Sequence, residues 1–135
     1  MARASLDVWI VDDDQSVRWV LEKALKQADM QTRSFERAEH LLDALGDGEP
    51  DVLITDVRMP GMSGLELQQV LNARDCGIPV IVITAFGDMK SAIAAIRVGA
   101  YDFLNKPLEI ETLVHAVNRA VQHRRLRDGV CPAGR

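Results

Sequence analysis

Apolar residues in this chain fall into two kinds of pattern. Unbroken runs occur at Val8-Trp9-Ile10-Val11, Val52-Leu53-Ile54 and Val80-Ile81-Val82-Ile83, with a weaker run over residues 30–35 and a short one over 101–104. Short continuous runs predict strands buried on both faces of a parallel sheet, whereas strict alternation would predict half-exposed ones. The intervening segments 15–28, 37–45, 64–73, 88–98 and 109–124 carry helical patterns. In the first of them Val17, Val20, Leu21, Ala24 and Leu25 make one apolar stripe, while Arg18, Glu22, Lys23 and Lys26 fall elsewhere.

The punctuation agrees. Ser63-Gly64-Leu65-Glu66 is a capping-box pattern at the start of the third helix, and Gly46 and Gly99 stand near helix ends. Strict alternation of strand and helix implies right-handed crossovers and an α/β fold. The fold class predicted is a doubly wound, five-stranded parallel sheet of order 2-1-3-4-5, a flavodoxin-like (βα)5 unit, with its switch point between strands one and three. Residues 6–125 form the domain, and 126–135 read as a linker start or tail.

Composition narrows the function classes. A chain of 135 residues with 47% hydrophobic and 27% charged residues is long enough for one well-buried core and is not disordered in character. Its net charge of −4 and the lack of a basic face argue against direct nucleic-acid binding by this segment. Neither a long charge-free apolar run nor a signal peptide is evident, so a cytoplasmic protein without membrane attachment is expected. Cys76 and Cys131 lack metal-ligand spacing and read as free thiols. His40, His115 and His123 have no ligand-spaced neighbours and receive no chemical role.

Ligands in open α/β sheets bind beyond the carboxyl ends of the strands, so the residues there matter most. Strand one ends in Asp12-Asp13-Asp14, strand three in Asp56, strand four in Thr84 and strand five in Lys106-Pro107. Clustered carboxylates repel one another unless a cation or a proton intervenes, and a hard divalent ion such as Mg²⁺ suits such oxygens. A hydroxyl and an ammonium suit phosphate oxygens. Together these groups describe a site that carries a phosphoryl group on Asp56. Taken singly, each has a plainer explanation. Asp14 reads as a cap for the first helix, Asp12 or Asp13 is as readily a cap, and Asp56 alone fits an Asx turn before Pro60-Gly61.

At these residues the chain resembles the response-regulator receiver domains of bacterial two-component systems. Asp12-Asp13, the TDVRMPGMSG segment around Asp56, Thr84-Ala85 and Lys106-Pro107 carry the likeness, with successive intervals of 43, 28 and 22 residues from Asp13 through Asp56 and Thr84 to Lys106. Within the family, VWIVDDDQSVRWVLEKAL and DVRMPGMSG are most similar to the NtrC (nitrogen regulator) subtype. The resemblance implies that Asp56 accepts phosphate from a sensor histidine kinase. It implies Mg²⁺ held by Asp13, Asp56 and the backbone carbonyl of Arg58, with Asp12 acting through water. Thr84, Ala85 and Lys106 would hold the phosphoryl oxygens, Thr84 and Phe103 would switch, and the Lys106–Pro107 bond would be cis.

The implied output is transcription regulation through an attached domain, driven by a changed face of the fourth helix, fifth strand and fifth helix. Homodimerisation on phosphorylation would involve the same region. In the fourth helix Met89, Ala92, Ile93 and Ile96 suit either a partner face or ordinary core packing. The resemblance also implies that the side chains two residues beyond Asp56 and Thr84 help set hydrolysis. Arg58 and Phe86 stand there and are ill suited to orienting water, which predicts a phosphorylated lifetime longer than that of the fastest receivers. A stand-alone receiver acting by protein contacts is the alternative. An Mg²⁺-dependent aspartyl-phosphate phosphatase would need a second acid where Arg58 stands. A nucleotide-binding module would need a phosphate loop where three aspartates stand.

Overall fold

A computed structural model describes residues 6–59, 61–74, 77–85 and 87–128. Pro60, Cys76, Phe86 and Cys131 therefore lie outside the described residues. The elements alternate without exception: β1 (Asp7–Val11), α1 (Gln15–Gln27), β2 (Gln31–Phe35), α2 (Ala38–Ala44), a 3₁₀ turn (Leu45–Asp47), β3 (Val52–Asp56), α3 (Gly64–Ala73), β4 (Val80–Thr84), α4 (Met89–Arg97), β5 (Asp102–Asn105) and α5 (Ile110–Asp128). All pairings are parallel, and the five strands lie in the order β2-β1-β3-β4-β5. The predicted fold class is the observed one.

Successive residues of a strand point to opposite faces, and this chain uses both. Val8, Ile10, Val52, Ile54, Ile81 and Ile83 pack with Leu21 and Leu25 of α1 and with Leu113 and Val117 of α5. Trp9, Val11, Leu53, Val80 and Val82 pack with Leu41 of α2, Leu67 and Leu71 of α3, and Ala95 of α4. Burial on both sides explains why the three central strands read as continuous apolar runs. The same parity sets the two strand-end polar residues. Asp56 continues the Val52–Ile54 set toward α1 and α5, and Thr84 continues the Val80–Val82 set toward α4.

Two expectations are corrected. Val20 is not in the buried stripe of α1; it is 48% exposed beside Trp19, which is 57% exposed. A helix lying on a sheet buries only an arc near its contact line. Leu21, Ala24 and Leu25 occupy that line, and Val20 falls at its margin. The last helix also runs past Arg124 through Asp128, so residues 126–128 are helical. No glycine or proline interrupts residues 125–128.

Candidate phosphoacceptor site

The turn after β1 is held by its own aspartates. Asp14 is the N-cap of α1 and accepts a hydrogen bond from the Ser16 amide at 2.9 Å, the capping role expected for it. Asp12 is buried, with 1% exposure. Its Oδ1 accepts from the Asp14 amide at 2.8 Å, and its carbonyl accepts from Arg18 Nη1 at 2.5 Å. Its other oxygen, Oδ2, is buried with no hydrogen-bond partner among the described residues. Asp13, next along the chain, is exposed.

Asp56, the last residue of β3, is 8% exposed. Its Oδ1 accepts from the Arg58 amide at 3.1 Å, and its Oδ2 accepts from Lys106 Nζ at 3.1 Å. Lys106 Nζ also lies 3.9 Å from Asp12 Oδ2, an ion pair too long for a hydrogen bond. The lysine is brought there from the end of β5, where its amide donates to the Thr84 carbonyl at 2.9 Å and the Lys106–Pro107 peptide bond is cis.

Charge and burial oppose each other here. Burial pushes the Asp12 carboxyl up to about 6, and the neighbouring Asp56 and Asp13 charges add to the rise, while the Asp14 amide and Lys106 counter it. Burial disfavours the Lys106 ammonium, yet the hydrogen bond and charge of Asp56, then Asp12, outweigh it and leave its pKa raised. Asp12, Asp13 and Asp56 each offer an oxygen within 4.8 Å of the others. One of these carboxylates has a buried oxygen with no hydrogen-bond partner among the described residues, so the set fits a hard oxygen-seeking divalent cation.

Thr84 is fully buried, and its hydroxyl donates to the Asp88 carbonyl at 3.0 Å, on the α4 side. Ala85 beside it is exposed. Phe103 is half-buried and packs with the α2–α4 face of the core. On α4, Ala92 is buried, Ile96 is half-buried, and Met89 and Ile93 are 39% and 44% exposed. The core packing expected of this helix is supplied by Ala92, with Ile96 partly packed, while Met89 and Ile93 face outward.

Two contributors were not singled out from the sequence. Gly64 opens α3 directly under Asp56: a Cβ there would lie 2.6 Å from the Asp56 carbonyl oxygen and 3.0 Å from Val57 Cα. Its place in the capping box was legible, and Ser63 and Glu66 do form that box, but the close approach depends on how α3 returns to β3. The second is Asp88, which pairs with Arg58 through Nε–Oδ2 at 2.6 Å and Nη2–Oδ1 at 3.2 Å. The pairing lowers the Asp88 pKa and raises that of Arg58. Sequence spacing alone does not show that the β3–α3 and β4–α4 connections meet.

An acidic pair, a strand-end aspartate in contact with a lysine, and a threonine on the neighbouring strand define a receiver-type fold and site. The family described as the response regulator receiver domain matches residues 8–118, and the chain belongs to it. It is 48% identical over 115 residues to the DNA-binding transcriptional regulator NtrC of Klebsiella pneumoniae, covering 85% of this chain and 24% of that protein. It is 40% identical over 123 residues to the C4-dicarboxylate transport transcriptional regulatory protein DctD of Pseudomonas aeruginosa, covering 91% of this chain and 27% of that protein. The chain thus spans about a quarter of the length of these curated relatives.

Solved structures agree. A crystal structure of FixJ-N superposes with a TM-score of 0.84 at 39% identity, over 90% of this chain and 97% of that one. NtrX from Brucella abortus gives a TM-score of 0.87 at 29% identity, over 94% of this chain and 29% of that one. Among the described residues, no helix is long and apolar enough to cross a membrane.

Proposed function

We propose that residues 6–125 are the phosphoacceptor domain of a two-component response regulator, with residues 126–135 beginning a linker to an output domain. Asp56 takes the phosphoryl group of a phosphohistidine on a sensor histidine kinase. The Asp56 carboxylate oxygen forms a bond to phosphorus as the P–N bond breaks, and the electron pair leaves with the imidazole. The contact that carries this reading is Lys106 Nζ on Asp56 Oδ2 at 3.1 Å, beside an Asp12 oxygen with no hydrogen-bond partner among the described residues.

Asp13, Asp56 and the Arg58 carbonyl would hold Mg²⁺, with Asp12 acting through water. The ion supplies charge neutralisation for the carboxylates and the incoming phosphoryl oxygens. Lys106 stabilises the negative charge on the transferring group, and it is already placed before the reaction. Thr84, with the Ala85 amide, binds the phosphoryl oxygens once its hydroxyl leaves the Asp88 carbonyl. Movement of Thr84 toward the acceptor frees space for Phe103 and biases α4, β5 and α5 toward a second arrangement. Met89 and Ile93 lie on that face and suit a homodimer contact or an output domain. The likeness to NtrC and DctD supports transcription regulation in the cytoplasm as the output, and the net charge of −4 supports an output made without DNA contact by this segment.

Intact mass after incubation with acetyl phosphate and Mg²⁺, beside Asp56→Asn, tests the proposal. One added phosphoryl group on the wild type alone is expected. A folded wild type that gains no mass from acetyl phosphate or from a phosphorylated kinase would reduce the chain to a protein-binding module.

A further inference from the structure

Arg58 touches both halves of the site. Its amide donates to Asp56 Oδ1 at 3.1 Å, and its guanidinium forms a two-point pair with the Asp88 carboxylate. Asp88 is the N-cap residue of α4, a position where aspartate ordinarily accepts a bond from its own helix's amides. Here it makes no side-chain cap bond. The carboxylate is committed to Arg58 and to the Ser91 hydroxyl, which donates at 2.9 Å. The main-chain carbonyl of this same Asp88 accepts the Thr84 hydroxyl at 3.0 Å, the shorter of that hydroxyl's two contacts, the other being the Ala85 carbonyl at 3.3 Å.

A continuous chain of contacts therefore runs from the Asp56 carboxylate through the Arg58 amide and guanidinium to Asp88, and from the Asp88 carbonyl to the Thr84 hydroxyl. Strand parity has already turned Thr84 toward α4. Planar two-point pairing restricts where the Asp88 backbone can sit more tightly than a single point charge would.

We infer that Arg58 is a positioning residue for phosphoryl transfer. Its guanidinium latches the β4–α4 connection onto the β3–α3 connection and keeps the Thr84 hydroxyl on the Asp88 carbonyl, away from the acceptor. Opening the latch lets the Asp88 carbonyl move and releases Thr84 to the phosphoryl oxygens. This inference rests on the reading of Asp56 as phosphoacceptor. It adds a residue whose side chain controls when Thr84 becomes available.

The test is the rate of mass gain with acetyl phosphate and Mg²⁺ in wild type, Arg58→Ala, Asp88→Ala, the double variant, Arg58→Lys and Ser91→Ala. Arg58→Ala is also made in a Thr84→Ala background, and circular dichroism verifies folding of each protein. Arg58→Ala and Asp88→Ala should each accelerate phosphorylation roughly two- to fivefold, the range over which an exposed ion pair shifts an equilibrium. The double variant should match the singles, because both remove one interaction. Arg58→Lys should restore part of the wild-type rate, and Ser91→Ala, which removes only the carboxylate's second partner, should accelerate phosphorylation less than Arg58→Ala does. In Thr84→Ala, removing Arg58 should have no further effect.

A wild type that is phosphorylated while both single variants keep its rate would overturn the latch and leave the acceptor reading intact. Acceleration that persists without Thr84 would also overturn it. So would opposite effects of Arg58→Ala and Asp88→Ala, which would mark Arg58 as an attractor of anionic donors. Failure of the wild type to gain mass from any donor would instead remove the acceptor reading on which the inference stands.

Discussion

Aspartates stand in pairs at both ends of this sheet, and the two pairs are built differently. At the amino ends of β1 and β3, the Asp7 amide donates to Asp51 Oδ2 at 2.8 Å and the Asp51 amide donates to the Asp7 carbonyl at 2.7 Å. These bonds tie two strand beginnings together. At the carboxyl ends, Asp12 is more deeply buried, keeps one oxygen without a hydrogen-bond partner among the described residues, and shares Lys106 with Asp56. Burial raises the pKa of both Asp7 and Asp12. The same residue type therefore does two jobs: one pair completes the backbone's hydrogen bonding, and the other gathers carboxylate charge around Lys106 on one rim.

The largest separation between the two ends should come from removing one carboxylate at each. Asp56→Asn should abolish phosphoryl uptake from acetyl phosphate, while Asp51→Asn should retain it, as read by intact mass. Uptake by Asp56→Asn would move the acceptor elsewhere on the rim.

Lys106→Ala should come next. It removes the group already touching the acceptor and should slow phosphorylation roughly a hundredfold, the usual scale for losing a preorganised charge-stabilising donor. The time course of mass gain measures it, and a change under about twofold would leave Lys106 as a purely structural ion-pair partner.

Gly64→Ala probes the backbone under Asp56. The added methyl meets main-chain atoms rather than a flexible side chain, so destabilisation of about 1–3 kcal/mol is expected in urea unfolding. Gly77→Ala, where a Cβ meets nothing within 4 Å, is the matched control.

The smallest effect concerns pH. The folded Asp12 carboxyl is raised from 3.8 to about 6, so between those values the folded state binds more protons than the unfolded chain. Asp12's contribution to stability is thus present at low pH and is lost as pH rises through about 6. In metal-free protein, Asp12→Asn should gain on wild type between pH 5 and 7.5 by on the order of 1 kcal/mol. Mg²⁺ should reverse that gain, because only the wild type keeps the full set of carboxylates. Asp7→Asn should shift in the same direction, without any response to Mg²⁺. Thermal melts with and without Mg²⁺ distinguish the two ends.

Much of this was legible in the chain. The continuous apolar runs located the central strands, because burial on both faces removes any polar alternation. Ser63 and Glu66 marked the start of α3 through a local pairing that needs no tertiary context. Val20 was misplaced because a 3.6-residue period defines a face but not how wide an arc the sheet will cover. The helical 126–128 segment was missed because an apolar pattern stops before a helix must.

The candidate site divides along the same line. Residue type and spacing along the chain were enough to nominate Asp12, Asp13, Asp56, Thr84 and Lys106, since parallel strands deliver their carboxyl ends to one rim whatever their detailed packing. Which oxygen is left without a hydrogen-bond partner among the described residues, that Gly64 presses on the Asp56 carbonyl, and that Arg58 reaches Asp88 were decided only by the tertiary structure. Those contacts depend on the angles at which separate loops return to the sheet, and such angles are set by the packed core as a whole, which no local stretch of sequence encodes.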